Sequence, residues 1–263
     1  MSAPATSAPA TVFSTHLDDA VLSAAARLLQ PGSRAVTVFA GPPPGGLPST
    51  VWGRVTRAVS PAQRHGERLE EDRRAMEALG CPALRLDVPE IEYRPGDLAK
   101  IEFGPRGVRQ DEIVERIAEE VAPLVAESSE IWAPAAVGRH LDHLAARDGV
   151  LAAWRSHGSS VPARLYADLP YSIQYGWPSW VTGAPDGRYL DAGAWLEGEL
   201  AGCGLDPSLL VADVRELDAE MRRRKETAVL AYQTQLPSLH LGPDDSRRWR
   251  HLLSHELSWR LTA

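Results

Sequence analysis

Apolar runs rich in β-branched and aromatic residues recur at 11–16 (TVFSTH), 35–41 (AVTVFAG), 83–88 (ALRLDV), 131–137 (IWAPAAV) and 163–169 (ARLYADL), and 209–214 (LLVADV) adds a candidate strand. Between them lie segments with helical spacing. The segment 20–29 follows two aspartates that suit a helix start, and 62–80 closes on Gly80, a natural C-cap; 110–125 and 143–154 complete the series. Strand and helix alternate over the first 170 residues, which predicts an α/β fold: a Rossmann-like, mostly parallel sheet with helices on both faces. In such sheets ligands bind at the carboxyl ends of the strands, so the active site is expected there. After residue 170 the alternation fails. Residues 171–190 (YSIQYGWPSWVTGAPDGRYL) read as an irregular, aromatic-rich loop whose role the sequence does not give, and 40–56 as a Gly- and Pro-rich loop rimming the same end of the sheet. The stretch 215–235 and the last segment from Asp244 onward read as two closing helices.

Composition narrows the picture by exclusion. A chain of 263 residues with 44% hydrophobic content predicts one domain over 11–263, preceded by a disordered tail over 1–10. The net charge of −7 disfavours nucleic acid and anionic lipid as partners. The start, MSAPATSAPA, has neither a basic stretch nor an apolar run, and no stretch is long enough to span a membrane, so a cytoplasmic location is expected. Cys81 and Cys203 have no neighbouring ligand residues and read as small thiols without a disulfide role. A homo-oligomer is compatible with the sequence.

The chemistry concentrates in two polar segments that each follow a predicted strand, THLDD (15–19) and GRHLDH (138–143). A catalytic zinc site commonly uses three ligands from His, Asp or Glu and keeps a fourth position for water. His16 and Asp19 can converge on one ion across a strand-to-helix turn, and either His140 or His143 can complete the set. Asp18, beside the ligand aspartate, is then placed to take a proton from the activated water. The unused histidine, if protonated, can stabilise the tetrahedral oxyanion, and Asp142 can orient one of the imidazoles. Taken singly, each piece has a plainer reading: Asp18 and Asp19 as helix caps, His16 as a strand-end histidine, and His140 and His143 as a solvated helix start. A phosphotransfer role for Asp18 would need phosphate-cradling glycines near the first strand, and STHLDDAVLS has none.

At these residues the chain resembles the PIG-L/LmbE-like family of metal-dependent N-deacetylases, whose AHPDDE and HPDH motifs correspond to STHLDDA and GRHLDH here. Arg68, Glu71, Ala75 and Leu79-Gly80 fit that family's helix pattern RxxExxxAxxxLG, and Lys225 to Gln235 (KETAVLAYQTQ) resembles its KxxAxxxYxSQ stretch. The resemblance implies His16, Asp19 and His143 as ligands of Zn2+ or another divalent ion, Asp18 as general base and His140 as oxyanion stabiliser. It further implies Arg68 as a substrate contact, whose plainer alternative is a surface ion pair with Glu71 or Asp72. The expected substrate is a small-molecule amide, an N-acyl amino sugar or glycoconjugate; the alternatives are an amidase of a thiol conjugate and a non-catalytic binding protein of the same fold. Leu17, Ala20 and Leu141 depart from the motifs without touching a proposed ligand or base. The run Arg222 to Lys225 reads as a solvated helix face, and Tyr171, Tyr175, Trp177 and Trp180 as packing residues, one of them available to stack on a sugar.

Overall fold

The computed structural model describes residues 8–94, 110–184, 190–244 and 246–261. The predicted strands form: β1 (Ala10–Ser14), β2 (Ser33–Thr37), β3 (Ala83–Arg85), β4 (Glu130–Pro134) and β5 (Ala163–Tyr166). Joined by β6 (Val211–Glu216) and β7 (His255–Arg260), they make one sheet in the order β3-β2-β1-β4-β5-β7-β6. The pairs from β3 to β5 are parallel, while β7 runs antiparallel to both β5 and β6. Fully buried Val12, Phe13, Val36, Ile131 and Leu165 fill the sheet, as expected of parallel strands covered on both faces. The Tyr166 hydroxyl donates to the Phe13 carbonyl at 2.9 Å, tying β5 to β1 across the core.

The helices are α1 (Asp19–Leu28), α2 (Val51–Val55), α3 (Pro61–Leu79), α4 (Asp111–Ala126), α5 (Leu141–Ser156), α6 (Ser179–Thr182), α7 (Ala192–Gly202), α8 (Ala219–Val229) and α9 (Ser246–Ser254). Helix α3 shows why its boundaries were legible. Ser60 accepts from the Gln63 amide at 3.2 Å, Pro61 opens the first turn, and Gly80 closes it with φ +64°. No helix of the described residues is long and apolar enough to cross a membrane.

Several expectations are corrected. The last segment is not one helix: α9 ends at Ser254 and the chain continues as β7, an inner strand buried on both faces. Arg215 belongs to β6, and the helix after it starts at Ala219 behind Asp218, which accepts from the Met221 amide at 2.8 Å. The Gly- and Pro-rich loop contains the short helix α2, capped by Thr50. Of the expected tail over 1–10, residues 1–7 lie outside the described residues, and Ala10 already opens β1. Residues 185–189 of the aromatic segment also lie outside them, and the rest of it contains α6.

The crossovers leave β1 in opposite directions, toward β2 on one side and β4 on the other. The crevice at the carboxyl ends of β1 and β4 is therefore the topological switch point, where open α/β sheets bind ligands.

Candidate active site

His16 follows β1, and Asp19 begins α1. The turn between them is built locally: the Ser14 hydroxyl donates to the His16 carbonyl at 2.6 Å and accepts from the Ala20 amide at 2.8 Å. Asp19 Oδ2 accepts from the His16 amide at 2.8 Å and lies 3.2 Å from His16 Nδ1. His143, on the first turn of α5, brings its Nε2 to 3.3 Å from the same oxygen. One donor atom from each of His16, Asp19 and His143 lies within 4.8 Å of the others, a spacing one cation can span. A second group, His16, His140 and Asp142, meets the same spacing. Its members are engaged otherwise: His140 Nδ1 accepts from the Asp142 amide at 3.1 Å, and Asp142 binds Arg94 at 2.7 Å and the Ile91 amide at 2.9 Å.

The far sides of both imidazoles of the first group rest on buried carboxylates. His16 Nε2 is 3.1 Å from Asp142 Oδ2, and His143 Nδ1 is 2.7 Å from Asp168 Oδ1. Asp142 thus orients the histidine of the other motif, across the sheet. Burial disfavours the imidazolium form, but hydrogen bonds to Asp142 and Asp19 hold His16 well above its ordinary value, and Asp19 and Asp168 carry His143 up to about 9. The cluster therefore favours a positive charge at its centre.

Asp18 occupies the N-cap position of α1, yet its carboxylate caps no helix amide. The capping explanation for it fails on that point. Burial, with the adjacent Asp19 carboxylate, raises Asp18 to about 6, opposed by the Arg68 guanidinium 3.9 Å away. Arg68 is buried and donates to Glu90 at 2.6 Å, so it is no surface ion pair. Glu71 instead accepts from the Thr234 amide at 2.9 Å, and Asp72 from Arg85 and the Tyr232 hydroxyl. That hydroxyl also donates to the Leu17 carbonyl at 2.9 Å, so the KETAVLAYQTQ stretch braces the first motif. Lys225 lies fully buried against Glu256 at 2.8 Å, contrary to the solvated face expected for its run.

His140 differs from expectation in its charge. Burial and the nearby His16 push it down to about 3, and its Nδ1 already accepts the amide that starts α5. With Nδ1 engaged as an acceptor, Nε2 is left to carry the ring's proton, and the downward shift favours the neutral imidazole over the imidazolium form considered from the sequence. The turn delivering it is tight. Ala136, Gly138 and Arg139 all have positive φ, and a Cβ at Gly138 would stand 2.8 Å from the Tyr171 ring. That ring in turn packs edge-on against His143 at 5.7 Å.

A cavity of about 240 Å³ adjoins this cluster, lined by Asp18, Arg68 and His140 together with Trp52, Tyr171 and Gln235. The sequence reading missed Asp168, Glu90, Glu92 and Arg94. Asp168 stands just past the end of β5, where a carboxylate at a strand terminus was a usable signal. Glu92 lines the same cavity, and burial with the neighbouring Glu90 raises it to about 7.

Fold and site define an α/β protein with a cation-seeking His/Asp cluster and a buried, unspent carboxylate at the switch point of its sheet. No family model matches the sequence, and no curated protein matches it by sequence. Solved structures do. An A40926 pseudoaglycone deacetylase is 27% identical, with 96% of each chain covered and a TM-score of 0.66. A deacetylase of the teicoplanin biosynthesis pathway is 25% identical over 96% of this chain and 97% of its own, with a TM-score of 0.69. An N,N'-diacetylchitobiose deacetylase from Pyrococcus horikoshii, 12% identical with a TM-score of 0.52, shares the fold over 94% of this chain and 75% of its own. The first two neighbours bear out the resemblance to the PIG-L/LmbE-like deacetylases that the motifs suggested, and the third shows the shared fold.

Proposed function

We propose that the chain is a divalent-metal hydrolase that removes an N-acyl group, most simply acetyl, from an amino sugar or a sugar-bearing small metabolite. The observation that carries this reading is the donor set of His16, Asp19 and His143 with the uncommitted carboxylate of Asp18 beside it. The set fits a divalent cation: two imidazoles and a carboxylate converge, and each imidazole is backed by a buried carboxylate, as is usual for metal-bound histidine. A bound ion would supply Lewis acidity, activating a water and polarising the amide carbonyl. Zinc is the ion we assign, since the donor types suit it.

The chain's own residues divide the rest. Asp18 accepts the proton of the attacking water and passes it to the leaving amine as the C–N bond breaks; a value raised to about 6 keeps it ionised at neutral pH yet able to hold the proton in passing. Arg68 sustains that ionised state. His140 donates from Nε2 to the carbonyl oxygen as negative charge develops there. The glycoconjugate substrate is supported by the deacetylases that share this fold and by the cavity of about 240 Å³ beside the cluster.

Metal analysis of protein purified without added metal, followed by acetate release from a panel of N-acetyl sugars and glycoconjugates, tests the reading. Asp18→Asn should retain one ion per chain and lose about 10²–10⁴ in rate. Near-native turnover of that variant would reject Asp18 as the base, and a metal-free, inactive wild type would reject the reading as a whole.

A further inference from the structure

Glu92 lines the catalytic cavity and takes no part in the chemistry proposed there. It stands in a single 3-10 turn, Ile91–Tyr93, directly after Glu90, the partner of Arg68. That turn is held by its other members. Ile91 and Tyr93 are both buried, the Ile91 amide donates to Asp142 Oδ2 at 2.9 Å, and the Tyr93 amide donates to the Glu90 carbonyl at 2.9 Å. The Glu92 carboxyl has less to do: its Oε2 is buried and has no hydrogen-bond partner among the described residues. Rotation about the last side-chain bond exchanges the two oxygens at little cost, so the group can turn either one toward a ligand in the cavity it lines.

The carboxyl is also kept at a cost. Burial, with the Glu90 charge beside it, raises Glu92 to about 7, against the Thr50 hydroxyl and the Arg68 guanidinium. A carboxyl raised above its unfolded value holds its proton more tightly in the folded state, so it subtracts from stability as pH climbs from the unfolded value through the folded one. At neutral pH Glu92 therefore weakens the fold, and a polar group so placed in a cavity wall points to a ligand. Its surroundings suit a sugar. Thr50 caps α2 by accepting from the Gly53 amide at 2.9 Å, and Trp52, in the first turn of α2, lines the same cavity with its indole nitrogen donating to Gln235 Oε1 at 3.0 Å. A fixed aromatic side chain offers apolar surface to a sugar ring, and a carboxyl offers an acceptor to its hydroxyls.

We infer that Glu92 is a specificity-determining residue of the cavity, its carboxyl accepting a hydrogen bond from a hydroxyl of the amino sugar that carries the scissile amide. The inference rests on the deacylase reading for the identity of the substrate. A hydroxyl fits this acceptor because the carboxyl can receive it whether or not it holds a proton itself. No proton is transferred, so the contact acts on binding and orientation of the sugar, and a sugar lacking that hydroxyl leaves the carboxyl without its ligand partner.

The test uses the metal-loaded protein and reaction products, which bind without turnover: glucosamine and its 3-deoxy, 4-deoxy and 6-deoxy derivatives. Calorimetric Kd values for the wild type should show at least one deoxy sugar binding roughly 10-fold more weakly than glucosamine. In Glu92→Ala that same deoxy sugar and glucosamine should bind within about 2-fold of each other, because the acceptor for the missing hydroxyl is gone. Glu92→Gln keeps a neutral acceptor and should keep part of the discrimination. Its thermal midpoint should equal or exceed that of the wild type, since it removes a buried charge; a purely structural carboxyl would instead lower it. The position of the hydroxyl that couples to Glu92 identifies the one recognised. Discrimination that is unchanged in both variants, no discrimination by the wild type, no measurable binding of glucosamine, or a Glu92→Gln protein that melts several degrees early would overturn the inference. Acetate release from N-acetylglucosamine is scored separately: turnover without coupling to Glu92 sinks this inference alone, and coupling without turnover sinks the deacylase reading alone.

Discussion

Asp168 carries two jobs on one carboxylate, and its variants should separate them. Oδ1 sits 2.7 Å from His143 Nδ1, and Oδ2 accepts from the buried Val137 amide at 2.9 Å. In Asp168→Ala both partners are lost. An orphaned buried amide costs about 1–3 kcal/mol of stability, and loss of the orienting carboxylate behind a metal-bound histidine costs about 10–100-fold in metal affinity. Asp168→Asn has one acceptor oxygen to share. Facing an amide that can only donate, it keeps the oxygen on Val137 and turns its own NH2 toward His143 Nδ1, which must then accept. That reverses the histidine tautomer and moves the proton to Nε2, the atom that faces Asp19 and the proposed ion. The asparagine variant should therefore melt within a few degrees of wild type when metal-free, yet match the alanine variant's loss of metal affinity. Thermal melts followed by circular dichroism give the first quantity, and competition with a chelator of known affinity gives the second. Wild-type metal affinity in Asp168→Asn would refute the tautomer argument. Wild-type affinity in both variants would remove His143 from the metal site altogether.

The pH profile and His140 supply two more. The rate should rise through an acid limb at or below about 6, because Asp18 acts only after losing its proton and a divalent cation beside it can only move the limb down; a limb centred above pH 7 would assign the base elsewhere. Since His140 sits at about 3 and works as the neutral donor, no alkaline limb should belong to it, and a high-pH fall that disappears in His140→Ala would restore the imidazolium. That same variant should retain its metal, lose about 10²–10³ in kcat, and lose about 1 kcal/mol of stability from the missing cap on α5. Metal loss in His140→Ala would exchange the roles of His140 and His143.

How much of this the sequence carried depended on whether a residue's surroundings were local. Strands β1, β2, β4 and β5 were legible because inner parallel strands are buried on both faces and read as unbroken apolar runs, bounded here by turn residues, whereas β3 stands at the sheet edge with Leu84 exposed. His16, Asp19 and the two histidines of GRHLDH stood out for the complementary reason, that polar, ligand-type side chains are conspicuous at the ends of such runs, while the choice of His143 over His140 came from the family resemblance. Asp142 was recognised as an orienting group, but which imidazole it holds depends on the pairing of β1 with β4, which no local pattern states.

The two largest misreadings share one physical cause. Strand β7 was read as helix because nothing in HLLSHELSWR breaks the helical spacing, and the short alternation of Glu256, Leu257, Ser258, Trp259 and Arg260 follows α9 directly, with no Gly or Pro to mark a new element. Lys225 was read as exposed because it sits in a run of arginines. Each error hides the partner that would have corrected the other: Lys225 is buried because Glu256 is there to meet it at 2.8 Å, and Glu256 is tolerated inside the sheet because Lys225 and the Ala26 amide, at 3.0 Å, satisfy its two oxygens. A buried charge is affordable only with a partner, and here the partners come from separate elements joined only by the finished fold. Pattern rules that place each charge outward, one element at a time, therefore fail where the chain has paired its charges inward. The same holds for Arg68 with Glu90, and there the inward pair borders the proposed catalytic carboxylate.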